Sequence, residues 1–138
     1  MIPVLVLTHG ELAKELLNAA RMIDSHLTEN SLALSLPWDI DSDEASRQLK
    51  QALRGLDQGE GILILTDMFG GTATNVALPF LDPDRVEVVT GTNLPMLVKL
   101  ASIRSLGLPL HELAQRLTAA GQKSIRVASE LLKRREPS

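Results

Sequence analysis

A histidine, an aspartate and a pair of glycines each follow a short apolar run in this 138-residue chain. His9 comes directly after the run VLVLT, Asp67 comes directly after ILILT, and the glycines belong to the segment DMFGGT. An imidazole at the end of an apolar strand can act as a base, a metal ligand or a nucleophile. The groups around His9 therefore decide its chemistry.

Asp67 would set the state of the histidine if the two side chains meet. Its carboxylate could accept a hydrogen bond from one ring nitrogen of His9, which fixes the tautomer and leaves the other lone pair free. Gly70 and Gly71 let backbone N–H groups approach an anion at the start of a helix, and the hydroxyl of Thr72 adds a donor. A nucleophilic imidazole, an orienting carboxylate and an anion site together suit a phosphoryl group carried on nitrogen.

Each of these residues also has a purely structural interpretation. His9 could be an exposed loop residue, Asp67 could be nothing more than the cap of the helix that follows, and paired glycines are common in turns. Neither GxxxxGK[ST] nor a GxGxxG after a strand occurs in the sequence, so nucleotide binding has no support. The functional interpretation depends on the three elements lying together.

Alternating strand and helix patterns predict a parallel α/β sheet wound on both faces, which would bring these elements together. Strands are predicted at residues 4–7, 32–36, 61–66 and 86–89, and helices at 12–25, 42–54, 72–81, 94–106 and 110–120. Ligands of such sheets bind beyond the carboxyl ends of the strands. His9, Asp67 and Asn93 are therefore expected along one edge of the sheet.

The second predicted helix has a clear start and end, whereas the region after residue 121 has two conflicting patterns. Asp41 and Glu44 have the capping-box spacing and predict the start of the second helix, which Gly55 would end. Residues 124–127 alternate like an edge strand, whereas residues 130–135 have a helical pattern, so the structure after residue 121 stays open.

Composition excludes several classes of function. The net charge of −3 and the aromatic content of 2% argue against nucleic acid binding and against stacking of sugars or bases. Without cysteine there is no thiolate chemistry, and residues 39–50 lack the glycine and glutamate of a calcium loop. The start of the chain lacks the basic segment of a signal peptide. These features predict one cytoplasmic domain at residues 1–138 with no metal and no cofactor.

Three segments resemble a known protein family: VLVLTHGELAKELL at residues 4–17, GILILTDMFGGTATNVA at 61–77 and VEVVTGTNLPMLVKL at 86–100. They are similar, in order and spacing, to the enzyme IIA components of the bacterial phosphoenolpyruvate-dependent sugar phosphotransferase system, mannose family. The similarity is weakest at residues 25–58 and after residue 107. It implies a phosphotransferase component in which His9 takes a phosphoryl group from phosphorylated HPr and passes it to a IIB component for sugar uptake.

The resemblance also implies roles for other residues. Asp67 would orient His9 and leave Nε2 as the acceptor, and Gly70, Gly71 and Thr72 would bind the phosphoryl group. The family usually has serine at the position of Thr72, and some members have threonine where this chain has Met68. The predicted site wall and partner-docking surface consist of Thr8, Met68, Phe69 and Asn93.

The fold implied by the resemblance is a sheet of strand order 2-1-3-4 with a fifth, antiparallel strand exchanged between the subunits of a homodimer. Residues 122–138 are the candidate for that strand and the tail. Because the chain ends at Ser138 without a IIB domain, the IIB component is expected to be a separate chain, and the membrane to be reached only through IIC and IID components.

Other functions stay open at this point. A regulatory phosphocarrier would use the same chemistry, and the absence of neighbouring IIB, IIC and IID genes would favour it over sugar transport. A phosphocarrier that serves dihydroxyacetone kinase is a variant, but the DMFGGT segment is closer to the sugar branch of the family. A small hydrolase or mutase with His9 as nucleophile is the alternative from another class. It would need a second acid or base beside Asp67 and an arginine, and the site segments offer neither.

Overall fold

The computed structural model describes residues 1–133, with the backbone alone described at residues 27 and 28, and contains one parallel four-stranded sheet. The strands are β1 (Val4–His9), β2 (Ser31–Leu36), β3 (Ile62–Thr66) and β4 (Val86–Val89). Their order is β2-β1-β3-β4, which confirms the predicted α/β fold and strand order. The winding direction changes between β1 and β3, so a ligand crevice is expected at their carboxyl ends.

Helices cover the sheet and connect its strands. They are α1 (Leu12–Ile23), α2 (Ser42–Leu56), α3 (Thr72–Ala77), α4 (Leu94–Ile103), α5 (Leu110–Lys123) and α6 (Ala128–Lys133). Three short 3₁₀ helices, Ser25–Thr28, Leu78–Phe80 and Arg104–Leu106, follow α1, α3 and α4. The segments predicted as single helices at residues 12–25, 72–81 and 94–106 therefore end in tighter 3₁₀ turns, a common way to finish a helix.

The side chains of β1 alternate between two apolar cores. Val4 and Val6 pack with residues of α1, α4 and α5, whereas Leu5 and Leu7 pack with residues of α2 and α3. All four side chains are completely buried. A strand covered on both faces needs apolar residues at every position, which explains the continuous apolar run in the sequence.

The helix α2 begins as predicted but ends later than predicted. The carboxylate of Asp41 accepts a hydrogen bond from the backbone N–H of Glu44 at 3.4 Å and caps the helix. Gly55 does not end the helix, which continues to Leu56. A Cβ atom at Gly55 would meet no atom within 4 Å.

Gly55→Ala is expected to raise the free energy of unfolding by about 0.5–1 kcal/mol, because alanine is the better helix former and has space at this position. Gly121→Ala is the matched opposite case in α5, because its Cβ would lie 2.6 Å from Cγ of the buried Met96. Overpacking of this kind costs about 1–3 kcal/mol and should outweigh the gain in helix propensity. Urea unfolding of both variants measures the difference, and equal changes in stability would contradict it.

The end of the described chain is helical rather than extended. Residues 124–127 lie outside the sheet, so the edge-strand pattern does not produce a strand in the single chain. The helical pattern that starts at residue 130 is confirmed as part of α6 up to residue 133, and residues 134 and 135 lie outside the described residues. An exchanged strand would pair with a second copy of the chain, so the predicted exchange stays a prediction.

Arg104 is a buried cation at the amino end of the sheet, opposite the site described below. Its guanidinium donates to the backbone carbonyl oxygens of Ile2 at 2.9 Å and Asn30 at 2.7 Å, and also to that of Glu29. Burial lowers the pKa of Arg104 to about 10, so the side chain remains charged at neutral pH. These bonds join the segment before β1 to the segment before β2.

Candidate functional site

The register of the sheet brings His9 and Asp67 together. β1 and β3 pair Leu7 with Thr66, the last residue of β3, so His9 and Asp67 follow this pair at two and one positions, at the same edge of the sheet. Nδ1 of His9 lies 2.7 Å from Oδ2 of Asp67, and the same oxygen accepts a hydrogen bond from the backbone N–H of His9 at 2.9 Å. One carboxylate oxygen therefore holds both the ring and the backbone of the histidine.

A second contact fixes the tautomer of the His9 ring. The backbone N–H of Thr72 donates to Nε2 of His9 at 3.2 Å. Because an N–H group can only donate, Nε2 must carry its lone pair and the ring proton must reside on Nδ1, facing Asp67. The side chains of His9 and Asp67 are 14% and 11% exposed, so the pair is largely buried but still reaches the surface at the strand ends.

The two glycines before Thr72 have different tasks. Gly70 has a φ of +86°, a left-handed conformation that glycine adopts without strain. A Cβ atom at Gly71 would lie 2.6 Å from Cε1 and 3.4 Å from Nε2 of His9. Gly70 therefore turns the chain, and Gly71 lets the backbone approach the edge of the imidazole that carries the free lone pair.

The environment of Asp67 favours its charged form. Burial alone would raise the pKa of this carboxyl. Hydrogen bonds from the backbone N–H and the ring of His9, and from the backbone N–H of Met68, outweigh burial, so the pKa lies below its ordinary value of 3.8. Asp67 is therefore an anion at neutral pH, and its negative charge faces the ring of His9.

The depressed pKa of Asp67 predicts a loss of stability in acid. A carboxyl whose pKa is lower in the folded state contributes stability that is complete above the unfolded value of 3.8 and disappears as the pH falls through the folded value. Urea unfolding from about pH 5 to about pH 2 should therefore show a smaller decline for Asp67→Asn than for the wild type. Parallel declines would mean that the folded protein does not perturb this carboxyl.

Three threonines that the sequence did not identify as site residues fix the loop after β3. The hydroxyl of Thr74 donates to the carbonyl oxygen of Met68 at 2.5 Å, so the hydroxyl of Thr66 must be the donor in the 2.7 Å contact between the two side chains. The carbonyl oxygen of Thr66 accepts two bonds from Thr92, from its N–H at 2.9 Å and its hydroxyl at 2.7 Å. This network fixes the backbone on both sides of Asp67.

Trp38 covers one face of the His9 ring. The ring centroids are 5.0 Å apart and the planes are 17° from parallel, which is an offset stack. Trp38 lies two residues after the end of β2. Its exposed fraction of 79% and its contact with His9 place it at the site.

Comparison with known proteins identifies the family to which this site belongs. A family model described as "PTS system fructose IIA component", where PTS is the phosphotransferase system, matches residues 3–118. The chain belongs to this family of phosphotransferase-system IIA components. The resemblance seen in the sequence segments is thereby confirmed, and the family supports a phosphocarrier role in sugar uptake.

Relatives of this IIA component match most of its length. The fructose-specific EIIA component of Bacillus subtilis (strain 168) is 34% identical over 137 residues, which cover 97% of this chain and 91% of that protein. The mannose-specific EIIAB component of Escherichia coli (strain K12) is 28% identical over 126 residues, which cover 91% of this chain but 39% of that protein. The mannose/sorbose specific IIA subunit of Enterococcus faecalis has a TM-score of 0.81 at 28% identity, covering 92% of this chain and 95% of that one.

The other residues predicted at the site of this IIA component occupy different surroundings. Thr8 is completely buried, and its hydroxyl accepts the N–H of Ala13 at 2.6 Å, so it supports the start of α1 from within. Met68 and Phe69 are 55% and 74% exposed, which leaves them accessible to a partner. Asn93 caps α4, and its amide donates to the carbonyl oxygen of Gly121 at 3.2 Å.

The remaining two histidines show that a carboxylate partner is not distinctive by itself. Nδ1 of His26 lies 2.7 Å from Glu29, and Nδ1 of His111 lies 2.9 Å from Glu87. Their side chains are 76% and 63% exposed, against 14% for His9. His9 differs through burial, through the donor on Nε2 and through the stacked indole.

The helices described within residues 1–133 are each too short or too polar to cross a bilayer.

Proposed function

We propose that His9 accepts a phosphoryl group on Nε2 from phosphorylated HPr and passes it to a IIB component. The observation that carries this proposal is the fixed tautomer of the ring. Oδ2 of Asp67 lies 2.7 Å from Nδ1 of His9 and holds the ring proton there. The lone pair of Nε2 lies at the edge of the site, where Thr72 N–H contacts it. A nucleophilic nitrogen with an oriented lone pair is what transfer to histidine requires.

The transfer step needs no proton to leave the ring. The lone pair of Nε2 forms the new bond to phosphorus while the bond between phosphorus and the donor atom of HPr breaks, and its electron pair returns to the donor. Nδ1 keeps its proton, so the phosphorylated ring becomes an imidazolium. The negative charge of Asp67 faces this developing positive charge and stabilises it. Transfer to the IIB component reverses these steps.

Gly70, Gly71 and Thr72 would bind the phosphoryl oxygens. During attack, the N–H of Thr72 loses Nε2 as its acceptor and becomes available to a phosphoryl oxygen in the same place. The side chain of Thr72 is exposed and supplies a hydroxyl donor nearby. Phosphoryl transfer depends on such positioning and charge stabilisation more than on covalent help from other groups.

The surroundings of His9 suit partners that dock in turn. Met68 and Phe69 are exposed directly after Asp67 and form an apolar docking surface for HPr and for the IIB component. Interfaces between transient partners are small, so a few exposed apolar side chains are sufficient. In this function the protein works in the cytoplasm and reaches the membrane only through IIC and IID components.

A homodimer joined by the exchange of residues 122–138 is part of the proposal. Ile125, Val127 and Leu132 are 76%, 60% and 60% exposed in the single chain, which leaves apolar surface for a second copy to cover. Light scattering after size-exclusion chromatography measures the mass in solution, and a monomer at all concentrations would contradict the exchange.

Phosphorylation in a reconstituted system tests the proposed function. The protein is mixed with phosphoenolpyruvate, enzyme I and HPr from the same organism, and the intact mass is measured before and after acid treatment. We expect an increase by one acid-labile phosphoryl group, mapped to His9, that disappears when either enzyme I or HPr is omitted. No increase with a matched HPr would contradict the carrier function.

A further inference from the structure

We propose that the indole of Trp38 stabilises the phosphorylated form of His9 by facing its positively charged ring, which makes Trp38 a positioning residue for phosphoryl transfer. The inference rests on the proposed function, because the positive charge arises when Nε2 is phosphorylated while Nδ1 keeps its proton. It assigns a role to a residue that lies outside the three sequence segments shared with the family.

The geometry assigns one side of the His9 ring to each neighbour. Asp67 occupies the Nδ1 edge at 2.7 Å, Thr72 N–H occupies the Nε2 edge at 3.2 Å, and the backbone of Gly71 passes close to Cε1. The indole of Trp38 occupies one face, with ring centroids 5.0 Å apart. A group on the face contacts the ring without obstructing the edge at which phosphorus must bind.

The local backbone makes room for this stack. Gly10 directly follows His9 and has a φ of +55°, and a Cβ atom there would lie 2.9 Å from Nε1 of Trp38. Glycine at this position therefore lets the indole lie across the strand end. Trp38 is 79% exposed, so burial in the apolar core does not explain its position.

The interaction strengthens when the ring becomes charged. A neutral imidazole and an indole attract each other weakly, whereas an imidazolium is attracted by the negative face of the indole as a cation. At an exposed site this attraction shifts an equilibrium by roughly two- to fivefold. Trp38 should therefore favour the phosphorylated form and slow its hydrolysis, because the positive charge declines as the bond between phosphorus and nitrogen breaks.

The test compares Trp38→Leu with Trp38→Phe, which keeps an aromatic face, and with Met22→Ala as the control. Met22 is 86% exposed at the far end of α1. Each protein is phosphorylated once by phosphorylated HPr and once by phosphoramidate, a small donor that forms no protein–protein interface. The readouts are the equilibrium between the phosphorylated protein and phosphorylated HPr, and the lifetime of the phosphorylated protein after the donor is removed.

We expect Trp38→Leu to lower the equilibrium constant with HPr by roughly two- to fivefold and to shorten the lifetime by the same factor whichever donor was used. Trp38→Phe should lie in between, and Met22→Ala should be unchanged. An unchanged lifetime would overturn the inference. So would slower phosphorylation by HPr with an unchanged equilibrium constant and lifetime, because Trp38 would then be a docking contact. A wild type that phosphoramidate modifies but HPr does not would refute the proposed donor, while the lifetimes would still decide the role of Trp38.

Fluorescence gives a second readout, because Trp38 is the one tryptophan of the chain. A positively charged imidazolium stacked on an indole quenches its emission, so phosphorylation with phosphoramidate should lower the fluorescence of the wild type. His9→Ala should show no change. Equal emission of the phosphorylated and free wild type would contradict the stacked, charged ring.

Discussion

Replacing His9 with glutamine will abolish phosphorylation of this IIA component while leaving its fold intact. Glutamine is polar and of similar length, so it can occupy the strand end beside Asp67 without leaving a cavity. Its amide nitrogen has no available lone pair, so no bond to phosphorus can form. We expect the phosphoenolpyruvate-dependent mass increase to fall below detection, with an unchanged circular dichroism spectrum and denaturation midpoint.

The two other histidines supply matched controls for this experiment. His26 and His111 each have a carboxylate at Nδ1, as His9 has, but are far more exposed. His26→Gln and His111→Gln should be phosphorylated at the wild-type rate. Phosphate remaining on the His9 variant, or lost from either control, would assign the acceptor to another residue.

Replacing Asp67 with asparagine should slow phosphoryl transfer by about 10²- to 10⁴-fold, as expected when an orienting carboxylate is lost from a catalytic histidine. In the wild type, Oδ2 accepts from the backbone and ring of His9, and Oδ1 accepts from the N–H of Met68. An asparagine amide has one oxygen, so in either orientation its NH₂ group faces a backbone donor. The variant also lacks the negative charge that stabilises the imidazolium.

Rapid-quench measurement of transfer from phosphorylated HPr gives the rate for this variant. Glu87→Gln is the matched control, because it removes the carboxylate at Nδ1 of His111 and leaves His9 untouched. We expect Asp67→Asn to remain a slow acceptor, since Nε2 is still present, and Glu87→Gln to be unaffected. Equal transfer rates for Asp67→Asn and the wild type would reduce Asp67 to a structural residue of the loop after β3.

The sequence was sufficient to predict the sheet and the pairing of His9 with Asp67. Buried parallel strands read as continuous apolar runs, and their carboxyl ends meet at one edge, so the residue types that follow them are brought together by topology alone. The position of Trp38 could not be predicted in this way. It depends on the path of the loop after β2 and on the left-handed conformation of Gly10, and hydropathy patterns encode neither.

The polar contacts within the site could also not be predicted from the sequence. Thr66 and Thr74 are eight positions apart and fully buried, and their contact depends on the turn between β3 and α3. Helix α2 was predicted to end at residue 54 and ends two residues later, at Leu56, because glycine only weakens a helix and neighbouring packing can carry the helix past it.

The hydrogen bonds of Asp67 at one end of the sheet and of Arg104 at the other end respond differently to acid. At the carboxyl end, the ring of His9 is held by a hydrogen bond to the carboxylate of Asp67, and protonation of Asp67 removes the negative charge of that partner. At the amino end, Arg104 is held by backbone carbonyl oxygens, which gain no proton in this range. Acidification should therefore break the contact between His9 and Asp67 before it breaks the contacts of Arg104. The protein then loses the orientation of His9 that transfer requires while the sheet is still folded.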